Sequence, residues 1–187
     1  MIDINELKTG LTLLLEGDVY LVVEFQPVKP GKGAAFVRTR LKHLKQGTVI
    51  ERTFRSGEKL EEAFVQERKL QFLYRGGGTF HFMDTQTYDQ LSLDEKRVGE
   101  ASELLKENMV VTVQEYKEQI LNLLLPLFVE LKVKEAEPGF RGDTAKGGSK
   151  FVKVETGASI QVPLFIKQGD IVKIDTRTRG YVGRVGV

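Results

Sequence analysis

Lys29-Pro30-Gly31-Lys32-Gly33-Ala34-Ala35-Phe36-Val37-Arg38-Thr39-Arg40-Leu41-Lys42 reads as a tight turn running into a strand. Pro30 presets φ for a turn, and Gly31 and Gly33 permit positive φ, so Lys32 stands at a narrow tip with no bulky neighbour. From Val37 onward, Val37, Thr39 and Leu41 alternate with Arg38, Arg40 and Lys42. That period of two places three cations on one face of a strand and turns the other face to a core. Phe25 and Phe36, at the base of this hairpin, are expected in that core.

Short runs of the same kind recur along the chain. Val19–Phe25, Val49–Phe54, Leu70–Tyr74, Phe80–Met83, Val110–Tyr116, Val129–Val133, Ser159–Val162, Ile171–Asp175 and Tyr181–Val185 are β-like and separated by glycine-containing turns. This is the pattern of small barrels or sandwiches. Arg75-Gly76-Gly77-Gly78 lies between two such runs and reads as a hairpin turn. One segment has helical period instead. Ser92 and Glu95 form a capping box, and Val98, Ala101, Leu104 and Leu105 fall on one face, which predicts a helix of about 13 residues, weakened by Gly99.

Two breaks divide the chain. Lys59–Val65 is a polar stretch, and Pro126 interrupts the chain before Val129. Three units follow, 1–65, 66–127 and 128–187. Units of that size bury only about 60% of their unfolded surface, so each is expected to lean on a neighbour. Ala136–Lys150, rich in Gly and Lys, reads as a mobile loop, and its Arg141-Gly142-Asp143 triplet as coincidence.

The 187 residues carry 28 basic and 26 acidic side chains, no cysteine and two histidines. The missing thiols exclude disulfides, Cys-ligated zinc, iron–sulfur clusters and thiol catalysis. No cofactor and no metal is expected. The near-neutral total hides one basic element. Between Glu24 and Glu51 there is no acid, while Lys29, Lys32, Arg38, Arg40, Lys42 and Lys45 add six positive charges, which leaves −4 for the rest. Lysines and arginines so arranged suit nucleic-acid phosphates. A phosphate-binding P-loop does not fit, because Gly33 rather than Ser or Thr follows Lys32 and a strand follows where a helix should begin. His81, next to Phe80 and Phe82 with Asp84 near, is the one tempting catalytic position, but no nucleophile completes a triad and it is read as structural. The acidic start and the lack of a long apolar run point to a cytoplasmic chain with no membrane partner.

The string also resembles a known family, elongation factor P, the bacterial translation factor related to the hypusine-carrying initiation factor of archaea and eukaryotes. Pro30-Gly31-Lys32-Gly33-Ala34-Ala35-Phe36-Val37-Arg38 is similar to its modified-lysine loop, with Lys32 at the modified position. Phe82-Met83-Asp84 with Tyr88-Asp89-Gln90 is similar to its middle domain. Glu155-Thr156-Gly157-Ala158, Val162-Pro163-Leu164-Phe165-Ile166, Gly169-Asp170, Asp175-Thr176-Arg177-Thr178 and Tyr181-Val182-Gly183-Arg184-Val185 are similar to its C-terminal signature. Two places depart: Lys150-Phe151-Val152-Lys153 stands where Lys-Pro-Ala-Thr is usual, and Arg179-Gly180 where Gly and an acid are usual.

The resemblance implies a mostly β fold of three small barrels arranged as an L, the first SH3-like (KOW-like) and the next two OB-folds, with one short helix in the middle domain. It implies a non-enzymatic monomer that binds both ribosomal subunits between the peptidyl and exit sites. There it contacts peptidyl-tRNA and promotes peptide-bond formation at consecutive prolines, whose secondary nitrogen and fixed ring make poor substrates. Lys32 would be the modified tip, served by a lysine-modifying enzyme; Lys29, Arg38, Arg40, Lys42 and Lys45 would contact RNA; Tyr181 and Arg184 would contact the small subunit or RNA, or else simply close the last strand. The competing reading is a general OB-fold RNA binder without a ribosomal role. OB grooves usually carry aromatic platforms, and the absence of Trp together with basic residues in the first unit argue against it.

Overall fold

The computed structural model describes residues 1–31, 33–136 and 148–186. Lys32 and the Arg141-Gly142-Asp143 triplet lie outside the described residues, as does most of the loop expected over Ala136–Lys150. At that loop's edges, Ala136 still belongs to one strand and Ser149 opens the next.

Among the described residues the chain is mostly β, in three sheets. The first holds β1 (Ile2–Asp3), β2 (Thr12–Leu15), β3 (Asp18–Val28), β4 (Phe36–His43), β5 (Val49–Arg55) and β6 (Lys59–Glu62), in the order β1-β6-β2-β3-β4-β5. The stretch read as a polar break after Lys59 is therefore a strand. Its Leu60 is buried and pairs with Ile2, while Glu61 pairs with Leu14, so alternation hides one apolar residue among charges. Leu13, Val22, Val37, Leu41, Phe54 and Leu60 meet in its core.

The second sheet holds β7 (Gln66–Gly76), β8 (Thr79–Asp84), β9 (Gln90–Asp94), β10 (Val110–Tyr116) and β11 (Gln119–Leu124), in the order β11-β10-β7-β8-β9. β7 and β8 join through Gly77 and Gly78, both at positive φ, as a two-residue hairpin of this kind requires. Phe72 packs against Phe80 and Phe82, with ring centroids 5.9 and 5.4 Å away.

The helix is shorter than its periodicity suggests. α1 spans only Glu95–Val98, and a 3-10 turn, Gly99–Glu103, continues it. Gly99 takes φ +59, which ends the α-helix after one turn. The cap is Asp94, whose side chain accepts from the Arg97 amide at 2.9 Å; Ser92 is in β9 instead. The apolar face is nevertheless the expected one, since Val98, Leu104 and Leu105 are buried.

The third sheet holds β12 (Phe128–Ala136), β13 (Ser149–Val154), β14 (Ser159–Pro163), β15 (Ile171–Asp175) and β16 (Gly180–Val185), in the order β14-β13-β12-β15-β16. Val129, Leu131 and Val133 alternate inward along β12 against Val172 and Ile174 of β15.

By packing, the chain forms two compact units: residues 1–67 with 114–122, and residues 68–113 with 123–187. In the first, a satellite cluster of Val19, Leu44 and Ala63 is covered by Tyr116 and Leu121, which the chain supplies from beyond residue 113.

Candidate nucleic-acid interface

The β3–β4 hairpin carries the site. Val28 pairs with Phe36, Gln26 with Arg38 and Glu24 with Arg40, with a bulge between Val22 and Glu24. On the other side of β4, Arg38 faces Thr53, Arg40 faces Glu51 and Phe36 faces Arg55. Along β4 the burial alternates as the sequence requires: Val37, Thr39, Leu41 and His43 are buried, Arg38 and Arg40 are exposed, and Lys42 is half-buried. The three cations thus share one face. Lys29 and Pro30 are exposed at the tip end, and Lys45 is exposed in the turn after β4.

Glycine geometry at the tip differs in one respect from the expectation. Gly33 has φ +112, in the left-handed half that a side chain resists, but Gly31 does not, so only one of the two glycines is required for its backbone.

Phe25 is also placed differently. It is 37% exposed and not in the core, because β3 runs on past the bulge and all of Glu24 to Pro27 is exposed. Phe36 is half-buried, with the Arg38 guanidinium 5.7 Å from its ring centroid.

The face is less uniformly basic than the linear sequence. The two acids that bound the acid-free run fold back on either side of Arg40: Glu24 Oε2 lies 3.3 Å from Arg40 Nη1, and Glu51 is its partner on β5. Arg38 has Gln26 and Thr53 as its cross-strand neighbours and, among the described residues, no carboxylate partner. Glu24, Gln26, Arg38, Arg40, Glu51 and Thr53 line a shallow groove of about 500 Å³. Arg55, Thr53 and Gln26 join the face through register, which no period within a single strand reveals.

The turn that carries Lys45 is held by a buried histidine. His43 Nδ1 accepts from the amides of Lys45 and Gln46 at 3.1 and 3.2 Å, and the ring meets Tyr20 edge-on at 4.9 Å. The second histidine is also engaged. His81 stacks on Tyr74 at 4.4 Å, and its Nδ1 lies 2.9 Å from Ser92 Oγ. Asp84, the acid near it in sequence, is engaged elsewhere, accepting from the Gln86 and Thr87 amides and pairing with Arg68 at 2.9 Å.

Tyr181 and Arg184 lie on β16, in the other compact unit. Tyr181 is half-buried and packs against the third core. Arg184 is exposed, with Nη1 3.9 Å from Asp170 Oδ2 and its guanidinium 5.9 Å from the Phe165 ring. The turn before β16 is organised by Asp175. The Arg177 guanidinium and amide hold its carboxyl down to about 2.

Three family models match in chain order: the elongation factor P KOW-like domain over residues 3–60, its OB domain over 65–123 and its C-terminal domain over 129–184. Elongation factor P of Moorella thermoacetica is 55% identical over 184 residues, 98% of this chain and 100% of its own length. That of Natranaerobius thermophilus is 51% identical over 185 residues, 99% of this chain and 98% of its own. The chain belongs to the elongation factor P family. It is accordingly a translation factor. The first sheet falls in the family's KOW-like region, and the second and third sheets in its OB and C-terminal regions. A eukaryotic-type translation initiation factor 5A from Methanococcus jannaschii shares the fold over 66% of this chain and 92% of its own, with a TM-score of 0.52 and 24% identity.

Proposed function

We propose that this elongation factor P family chain binds the ribosome between the peptidyl and exit sites, contacts peptidyl-tRNA, and promotes peptide-bond formation where consecutive prolines stall it. The supporting observation is the β3–β4 hairpin. It presents Arg38 and Arg40 on one exposed face, in a chain that matches the family from end to end.

In this reading no side chain acts as acid, base or nucleophile. Lys32, bare or bearing a group added by a lysine-modifying enzyme, reaches the acceptor end of the tRNA and holds its backbone, so that the ester is presented in an attack-competent geometry. The gain is one of orientation. Lys29, Arg38, Arg40, Lys42 and Lys45 neutralise phosphates near it, while Tyr181 and Arg184 contact the small subunit or RNA. The chain acts as a monomer of three domains, 1–65, 66–127 and 128–187.

A Lys32→Ala variant tests this directly. It is expected to leave translation of proline-free messages unchanged and to fail at relieving pauses on consecutive prolines in a reconstituted system. Equal relief by variant and parent would remove Lys32 from the mechanism.

A further inference from the structure

The segment Gly99–Lys106 is clasped by two turns of the third sheet. Leu104, 2% exposed, is part of the core made by β12 to β15. The Thr156 hydroxyl, in the β13–β14 turn, donates to the Glu103 carbonyl at 2.6 Å. Next to it, Glu155 Oε1 lies 2.9 Å from Lys106 Nζ and accepts the Lys132 amide at 2.9 Å. Burial pushes the Glu155 carboxyl up, but the Lys132 amide and the Lys106 ammonium outweigh it and hold it below its ordinary value. From the β15–β16 turn, Arg179 Nη1 reaches Glu103 Oε2 at 2.8 Å, and its Nη2 lies 3.6 Å from Glu100 Oε2.

Arg179 takes φ +56, a left-handed conformation in which a residue with a Cβ is uncommon and which persists where the surroundings hold it. The next residue is closely packed, since a Cβ on Gly180 would lie 3.0 Å from Thr178 Oγ1 and displace that hydroxyl. The turn is therefore shaped to aim Arg179 at the acids of the 3-10 segment.

Burial of Leu104 is non-directional: it attaches the segment to the core without fixing its orientation. Three separated polar contacts supply that orientation. Exposed ion pairs add little to global stability, so their effect lies in geometry rather than in overall folding free energy. We infer that Arg179 and Glu103, together with Thr156 and the Lys106–Glu155 pair, form an ionic latch that holds Gly99–Lys106 and the third sheet as one rigid body. Arg179 and Glu103 are 39% and 53% exposed, so salt loosens the latch. β16 begins immediately after Arg179, so the latch also orients the strand that carries Tyr181 and Arg184. This holds whatever those two residues touch.

The test uses the full chain in solution. Backbone amide residual dipolar couplings are measured for residues 68–106 and for 128–136 with 149–185, alongside hydrogen exchange of the Leu104 and Lys132 amides. One alignment tensor should fit both groups in the parent at low salt. Arg179→Gly, which relieves the left-handed strain while removing the guanidinium, should require two tensors and speed exchange about two- to fivefold. The parent at about 1 M salt, where screening shortens to roughly 3 Å, should behave like the variant. The charge swap Glu103→Arg with Arg179→Glu should restore a single tensor. A single tensor in Arg179→Gly with unchanged exchange would overturn the latch, as would a swap no better than the single change.

Discussion

At the scale of single residues, Arg38 and Arg40 look equivalent in sequence and are not equivalent in the fold. Arg40 already has Glu24 at 3.3 Å and Glu51 across the strand, whereas Arg38 faces Gln26 and Thr53. A phosphate that binds Arg40 competes with a carboxylate; one that binds Arg38 does not. Arg38→Ala is therefore expected to weaken ribosome binding and to lower the slope of log K against log salt by about 1, with a smaller change for Arg40→Ala. Equal slopes for the two variants, measured by equilibrium binding over a salt series, would remove the distinction. The pairing was within reach of the sequence. Partners across the β3–β4 hairpin on the tip side of its bulge sum to 64, as Val28 with Phe36 and Glu24 with Arg40 do, and a turn read from Pro30, Gly31 and Gly33 in the sequence leads to nearly that register. The exposure of Phe25 was not legible in the same way. It depends on how far β3 outruns the body of its sheet, which is a property of the packed unit and not of the local period.

At the scale of elements, turns and caps carry much of the specificity. Gly77 and Gly78 both need positive φ, so Gly78→Ala should destabilise the protein by about 1–2 kcal/mol, read by chemical denaturation. Asp84 fixes the turn after β8. The amides of Gln86 and then Thr87, followed by Arg68, hold its carboxyl below the ordinary carboxylate value. A depressed native pKa stabilises the fold above the unfolded pKa of about 4, and that contribution is lost as pH falls through the native value. Asp84→Asn should lower the melting temperature at neutral pH and flatten its decline below about pH 4; a parallel decline in parent and variant would show that Asp84 does not govern the acid limb. The glycine turn was readable because Gly-Gly between β-like runs has a single economical geometry. The helix was only half readable. Periodicity located the buried face of Val98, Leu104 and Leu105, but it could not show that Gly99 would turn left-handed and convert the second half into a 3-10 turn.

At the scale of the whole molecule, three separate sheets each bury an alternating stripe, and each has its own cost of truncation. Leu131 is fully buried between β13 and β15 in the third core, so Leu131→Ala should cost about 2–5 kcal/mol in an unfolding measurement. The β-rich character was legible throughout, since period-two runs bounded by glycine turns survive any choice of boundary. Packing partners were not. Lys59–Glu62 reads as polar because only Leu60 of its four residues points inward, and no local pattern shows that Tyr116 and Leu121 cover Val19, Leu44 and Ala63.

That last arrangement bears on synthesis. The first compact unit is not continuous in the chain: its satellite cluster needs residues 114–122, which are made only after 68–113. At translation speeds of about 5–20 residues per second, the nascent N-terminal sheet waits on the order of 3–10 seconds for its cover. During that interval Val19, Leu44 and Ala63 lack part of their lining, so this translation factor completes its own first unit only when its synthesis is well past the midpoint.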